Sequence, residues 1–323
     1  MKVGILGAGA TGGFLGARLA KSGADVILIA RGPHLKAMTE TGLRLIEPDG
    51  ETTVRVNASE DLSALRGVDA VFVTLKAHGV PPIAERLAAN LDEDTAVVSA
   101  QNGIPWWYFQ RHGGELEGTY LEAVDPGGLV ARTIDPERVI ACIVYPATSV
   151  VEPGVVRHAE GEKFSLGELD GKSTPRIQAL SSLLISAGLK APVQSRIRQE
   201  LWVKLMGNAV FNPMSVLTRA SLGAMAESPE LAPIVRAAME EVDAVARRLG
   251  IEMPITIDQR IRGAARVGDH KTSMLQDLES GRPMEIDAVV GSVVELAGRL
   301  GVPVPHLQTM YACVKVLASV PVA

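Results

Sequence analysis

The sequence predicts an α/β protein, with a doubly wound, mostly parallel sheet at the N-terminus and an all-helical domain behind it. Three observations predict this. Strand-like and helix-like segments alternate through the first half, which calls for a parallel sheet covered by helices on both faces. A glycine-rich turn directly follows the first strand. From about Thr174 onward helical periodicity replaces the alternation. At 323 residues the chain is also longer than one hydrophobic core usually serves, so two domains are the natural reading.

The elements follow in order. Val3–Leu6 reads as a strand and Phe14–Leu19 as a helix, with Asp25–Ala30 as the next β-rich run. Leu43–Ile46 and Thr52–Val56 flank Pro48-Asp49-Gly50, a hairpin turn. Val71–Leu75 is a strand, Ile83–Ala89 a helix and Ala96–Ser99 a further strand. Ile140–Val151, Gly154–Arg157 and Phe164–Leu166 read as antiparallel strands that extend the sheet on one side. Helical segments follow at Ile177–Ile185, Ile197–Phe211, Leu231–Leu249 and Ile286–Leu300. The expected division falls near Gln194: residues 1–194 form a Rossmann-type dinucleotide-binding domain and residues 195–323 a helical substrate and catalytic domain.

Composition narrows the function classes. Hydrophobic residues make up 47% and charged residues 21%, ordinary for a globular chain with a good core. A net charge of -5 with dispersed basic residues argues against nucleic-acid and anionic-membrane partners. The two cysteines, Cys142 and Cys313, provide neither metal-ligand spacing nor a disulfide framework, which fits a reducing, cytoplasmic setting. No targeting segment is visible at the N-terminus, and no apolar run is long enough to span a bilayer. The apolar helices of the second half suggest a homodimer.

Gly7-Ala8-Gly9-Ala10-Thr11-Gly12 matches G-x-G-x-x-G. Its position between a strand and a helix is what makes it specific. Gly7 permits the tight turn, Gly9 lets backbone approach a pyrophosphate, and Gly12 lets the helix pack closely on the strand. Free amides at the helix start would then bind the anion. The second strand ends in Arg31, not in an acidic residue. A guanidinium there suits a ribose 2′-phosphate, so NADP is expected over NAD. Lys76 and Asn102-Gly103 follow later strands, where strand carboxyl ends face a ligand crevice.

The segment Leu201–Asn212 carries a single charge, Lys204. On a helix Lys204, Asn208 and Asn212 share one stripe at i, i+4 and i+8, and most other faces are apolar. Such a helix is largely buried, and a poorly hydrated ammonium is costly unless it is paired or used. Burial also lowers the proton affinity of a lysine, which suits it to give up a proton near neutral pH. The competing reading is a stripe that snorkels to water. In the segment Lys271–Asp287, Pro283 followed by Glu285 and Asp287 reads as a helix start, with acids that suit the helix dipole.

Taken together, these residues resemble the ketopantoate reductase family along essentially the whole chain. The residues that carry the likeness are the N-terminal GAGATG, Arg31, Thr74-Leu75-Lys76, Asn102-Gly103, the Lys204/Asn208/Asn212 helix, and Ser273 with Glu285. The resemblance implies that Lys204 is a general acid and that Asn208, Asn212 and Ser273 bind substrate. It implies that Asn102 touches both substrate and cofactor, that Glu285 contacts the cofactor and orders the site, and that Arg31 and Lys76 bind the cofactor. The implied reaction is reduction of a 2-oxo acid by NADPH, with ketopantoate as the default substrate, in pantothenate biosynthesis. No metal is implied. The chain departs from the family's pattern at Trp106-Trp107-Tyr108-Phe109, at Gly79 and at Ile143–Pro146. The aromatic block either lines a pocket for a larger or more apolar oxo acid or packs between the domains. The alternatives are therefore another enzyme of the same build, such as a reductase of a different, larger 2-oxo acid or a 3-hydroxy acid dehydrogenase, or a non-catalytic NADPH-binding sensor.

Overall fold

The computed structural model describes residues 1–320. The strands are β1 Lys2–Leu6, β2 Asp25–Ile29, β3 Leu43–Glu47, β4 Gly50–Val54, β5 Asn57–Ser59, β6 Ala70–Val73, β7 Ala96–Ser99, β8 Val139–Val144, β9 Ala147–Glu152, β10 Val155–Glu160 and β11 Phe164–Glu168. The helices are α1 Ala10–Lys21, α2 Gly32–Thr41, α3 Ala84–Ala88, α4 Leu129–Thr133, α5 Pro175–Ser186, α6 Ile197–Thr218, α7 Leu222–Glu227, α8 Ala232–Arg248, α9 Ile257–Val267, α10 Ser273–Glu279, α11 Ser292–Leu300 and α12 Pro305–Ser319. A π-turn, Asp287–Gly291, precedes α11.

The chain forms two compact units. The first comprises residues 1–101, 109–118 and 129–197. Its main sheet has the order β11-β8-β7-β6-β1-β2-β5. All neighbours are parallel except β11 and β8. Strands β6, β7 and β8 are buried at every position. That lack of alternation belongs to a sheet covered on both faces, and it is why these runs read as continuous apolar stretches.

The antiparallel strands correct the sequence reading. The run Ile140–Val151 divides: its first part, β8, joins the main sheet parallel to β7, and β11 extends that sheet antiparallel to β8. β9 and β10 pair instead with the β3–β4 hairpin in a second sheet, ordered β4-β3-β10-β9. β10 runs parallel to β3, Val156 opposite Leu45, a pairing no local signal announces. The physical reason is α1. It lies against strands of both sheets, and its glycines fit it there. A Cβ on Gly12 would overlap the Gly7 carbonyl on the main-sheet side, and one on Gly13 would lie 2.8 Å from Val156 of β10. Val156 is fully buried. The second sheet therefore shields the outer side of α1.

The second unit comprises residues 102–108 and 119–128 and the described residues from 198 onward. A single division at Gln194 leaves the first two of these segments with the sheet, yet their contacts explain their place here. The Ile104 amide donates to the Ala288 carbonyl at 3.1 Å. Tyr108 accepts from Arg198 Nε through its carbonyl at 2.9 Å and from Trp202 Nε1 through its hydroxyl at 2.6 Å. Glu295 of α11 accepts the amides of Glu122 and Ala123 at 3.0 and 2.9 Å. Elsewhere in this unit the buried Glu241 of α8 takes the amides of His306 and Leu307 at 2.9 Å. That satisfies first-turn donors of α12 that would otherwise be orphaned. No helix among the described residues is long and apolar enough to cross a membrane.

Candidate active site

In the first unit the predicted cofactor residues gather at the carboxyl ends of three neighbouring strands. Gly7 follows β1 with φ 100°, a conformation that glycine adopts freely. The amides of Gly7 and Ala8 both donate to the Ile29 carbonyl at the end of β2, at 3.1 and 2.9 Å. Thr74, just past β6, donates its hydroxyl to the Gly7 carbonyl at 2.8 Å. The turn is thus tied to both flanking strands. Gly9 is the exposed N-cap of α1 and makes no side-chain cap, and a Cβ on it would meet nothing within 4 Å. Gly9 therefore leaves room for a group to approach the start of α1, whose first-turn N–H groups have no helical acceptor, the arrangement that suits a phosphate. Arg31 is exposed at the N-cap of α2, two residues past β2. Lys76 is half-buried, three residues past β6, at the start of a 3-10 turn. Strand carboxyl ends in this order are where open α/β sheets take ligands.

His34 holds the far side of this region, its Nδ1 accepting the Gly154 amide at 2.9 Å. Burial, opposed by a hydrogen bond to Ala8, lowers the pKa of the imidazole below its ordinary value. A lowered folded-state pKa gives a contribution that is present above about pH 6.5 and lost as pH falls. His34→Leu should therefore lower the melting temperature at neutral pH and flatten its decline on acidification. Equal acid sensitivity in the two proteins would show that His34 is not the group responsible.

In the second unit three predicted residues from distant parts of the chain meet. Lys204 Nζ donates to Asn102 Oδ1 at 2.6 Å. Asn102 Nδ2 donates to Glu285 Oε2 at 3.3 Å. All three side chains are partly buried. Lys204 rises from α6, whose apolar faces are covered: Leu201, Trp202, Leu205 and Met206 are each 3% exposed or less. The ammonium is thus neither snorkelling freely nor sealed in. Asn208 and Asn212 continue its stripe one and two turns on, and Asn212 is buried. Neither amide side chain makes a hydrogen bond among the described residues, so both keep donors and acceptors for a polar ligand. Pro213 follows inside the helix and has no N–H, so the Ala209 carbonyl lacks its usual helical donor.

Ser273 stands apart. It is exposed at the first position of α10, and no hydrogen bond among the described residues links it to Lys204, Asn102 or Glu285. Its buried neighbour Thr272 caps α10 and shares a 2.5 Å hydrogen bond with Ser215 of α6. The aromatic block is interior. Trp106, Trp107, Tyr108 and Phe109 are 5% exposed or less. Burial pushes the Tyr108 phenol up to about 12, against the opposing bond from Trp202. Sequence reasoning missed the π-turn beside Glu285, where a continuous helix was expected. It also missed Asp277, whose buried carboxylate accepts from Arg282 Nε at 3.1 Å. Only the clustering of acids around Pro283 hinted at either.

A mostly parallel sheet with a glycine-rich turn after its first strand, in a chain that also carries a helical unit bearing a hydrogen-bonded lysine, is a build met among the nicotinamide-dependent dehydrogenases and reductases. The family description "Ketopantoate reductase PanE/ApbA" matches residues 3–171, and its C-terminal counterpart matches residues 196–318. The chain belongs to the ketopantoate reductase family. It is 48% identical to the 2-dehydropantoate 2-reductase of Mesorhizobium japonicum, over 98% of each chain. A solved PanE/ApbA family ketopantoate reductase from Ralstonia eutropha JMP134 is 32% identical with a TM-score of 0.85, over 98% of both chains. A structure from Ralstonia solanacearum, provisionally assigned to the same activity, is 39% identical with a TM-score of 0.92, over 98% of this chain and 97% of that one.

Proposed function

We propose that this protein reduces 2-dehydropantoate (ketopantoate) to pantoate with NADPH, a 2-oxo acid to 2-hydroxy acid conversion in pantothenate biosynthesis. The observation that carries the reading is the hydrogen-bonded chain Lys204–Asn102–Glu285. The residues of the first unit fit the cofactor: the open amides after Gly9 suit its pyrophosphate, Arg31 its 2′-phosphate, and Lys76 its remaining negative charge. When bound, NADPH supplies a hydride to the carbonyl carbon.

The chain's own residues do the rest. Negative charge grows on the carbonyl oxygen, and the Lys204 ammonium stabilises it and then gives it a proton. Asn102 holds the Lys204 amine by its side-chain oxygen and so fixes where that proton points. Glu285, held in turn by Asn102, places a negative charge near the ammonium and keeps the site ordered. Asn208 and Asn212, with amide groups to spare, orient the carboxylate and hydroxyl of the substrate, with Ser273 as a further contact. The full burial of Trp106 to Phe109 supports packing over an enlarged pocket, and hence ketopantoate over a bulkier oxo acid.

The test is a panel of 2-oxo acids assayed by nicotinamide absorbance, with NADPH and NADH side by side. Ketopantoate with NADPH should give the highest kcat/KM. A larger oxo acid in first place would move the substrate. Tight NADPH binding with no turnover of any oxo acid would favour the sensor. Arg31→Ala should weaken NADPH by about tenfold to a hundredfold, the worth of charge-assisted hydrogen bonds, and leave NADH nearly untouched. Equal losses for both cofactors would remove Arg31 from the 2′-phosphate. A homodimer in the cytoplasm is the assembly and setting we propose, and sedimentation velocity checks the first.

A further inference from the structure

The π-turn at Asp287–Gly291 is the one segment of π-helix among the described residues. Such insertions cost hydrogen-bond geometry and concentrate at functional sites. Two side chains of α12 hold this one. Tyr311 Oη donates to Asp287 Oδ1 at 2.6 Å, and Lys315 Nζ donates to Oδ1 and Oδ2 at 3.0 and 3.1 Å. The Tyr311 ring also closes the other end of the turn: a Cβ on Gly291 would lie 3.0 to 3.1 Å from its atoms. One tyrosine therefore grips the first and last residues of the turn. Burial, and then the carboxylate it bonds, push the Tyr311 phenol above its ordinary value, so the donor keeps its proton.

The turn faces the Asn102 segment. The carbonyl of Ala288, its second residue, accepts the Ile104 amide at 3.1 Å and the Ser292 hydroxyl at 2.6 Å. Gly103, at φ 83°, crosses directly over Ala288, and any Cβ there would overlap the Ala288 carbonyl. The position of Asn102, one residue earlier, is thus set by the turn. So is that of Glu285, two residues before Asp287. Asn102 and Glu285 are the two groups that reach one another beside Lys204.

We propose that Tyr311 and Asp287 are positioning residues for the Lys204–Asn102–Glu285 chain, acting through the π-turn on which both Asn102 and Glu285 are registered. The inference rests on the reading of Lys204 as proton donor and adds residues that touch neither substrate nor cofactor. If the turn relaxes, Asn102 and Glu285 move together relative to α6, and the Lys204 amine loses its aim. The effect should fall mainly on kcat and change NADPH affinity less, because the phosphate contacts proposed for the cofactor lie at the strand ends of the first unit and only the contacts of Asn102 and Glu285 are disturbed.

The test uses the full-length chain and two substitutions, Tyr311→Phe and Asp287→Asn. The first keeps the ring on Gly291 and removes only the donor. Two readouts are taken. Hydrogen exchange at the Ile104 amide reports the grip of the turn without reference to activity, and it should quicken by about tenfold as the local opening becomes easier. Steady-state kinetics with ketopantoate should show kcat down by about tenfold, the scale of a sub-ångström misplacement, with a smaller change in the NADPH Kd. Unchanged Ile104 protection in both variants overturns the proposal, whatever the enzyme does. So does faster exchange with wild-type kcat in a chain that turns over ketopantoate. Lys204→Ala is run in parallel. If that variant keeps its turnover, the proton-donor reading fails, and the exchange readout still decides whether the turn holds Asn102.

Discussion

Lys204→Ala is expected to lower turnover of the oxo acid by about a hundredfold to ten-thousandfold, the range typical of a lost general acid. NADPH binding should survive, because Lys204 is not among the residues proposed to hold the cofactor. The variant should also fold. Lys204 is only partly buried, and the apolar contacts of α6 that support it come from Leu201, Trp202, Leu205 and Met206. Removing the ammonium leaves Asn102 Oδ1 without its donor, a cost of about 1–3 kcal/mol at most, and less where water reaches it. The measurement is kcat with ketopantoate beside NADPH affinity from fluorescence. Near-normal turnover would dismiss Lys204 as the proton donor. An equal loss of turnover and of NADPH binding would point to a folding defect instead.

Gly12→Ala should have the largest effect on stability. A Cβ there would overlap two groups at once, the Gly7 carbonyl and the Thr74 hydroxyl, with Ile5 Cγ2 at 3.0 Å. The carbonyl is backbone and cannot swing away. Relief requires α1 to lift from β1, against the second sheet on its other side. Overpacking of this kind costs about 1–3 kcal/mol, and loss of the Thr74 to Gly7 hydrogen bond adds about 1 kcal/mol. The melting temperature should therefore fall by roughly 4–16 °C, and NADPH affinity should drop with it as the turn shifts. Thr74→Ala removes one of the two overlaps. The double variant should accordingly lose less than the sum of the single ones. Strict additivity would mean that the close approach is not what fixes Gly12.

Much of the fold could be read from the residues alone. Val3–Leu6, the glycine turn and Arg31 were legible because strand, turn and helix chemistry coincide within a few positions. The Lys204/Asn208/Asn212 stripe was legible because a lone charge in an apolar helix stands out. The pairing of β10 with β3 was not, since a parallel contact between strands more than a hundred residues apart leaves no local trace. The grouping of residues 102–108 with the helices was hidden for the same reason. It depends on Arg198, Trp202 and the Ala288 carbonyl, contacts made by polar atoms that follow no period. Asn102 could be flagged as the residue after a strand, but its partners could not be derived from spacing. The π-turn was invisible because Ile286, Val289, Val290 and Val293 satisfy an ordinary helical pattern equally well.

The chain passes between its two units at 101/102, 108/109, 118/119, 128/129 and 197/198. No scissors cut at one point can therefore free either half intact. A fragment ending at Gln194 would retain Trp107 and Tyr108 but lack Arg198, which lies over both rings, and Trp202, which packs on Tyr108, leaving two large rings bare and adhesive. Such a truncation should be recovered as aggregate. The complementary helical piece would lack the strip bearing Asn102, and supplying the two parts in trans should restore activity only if that strip can thread back onto Ala288.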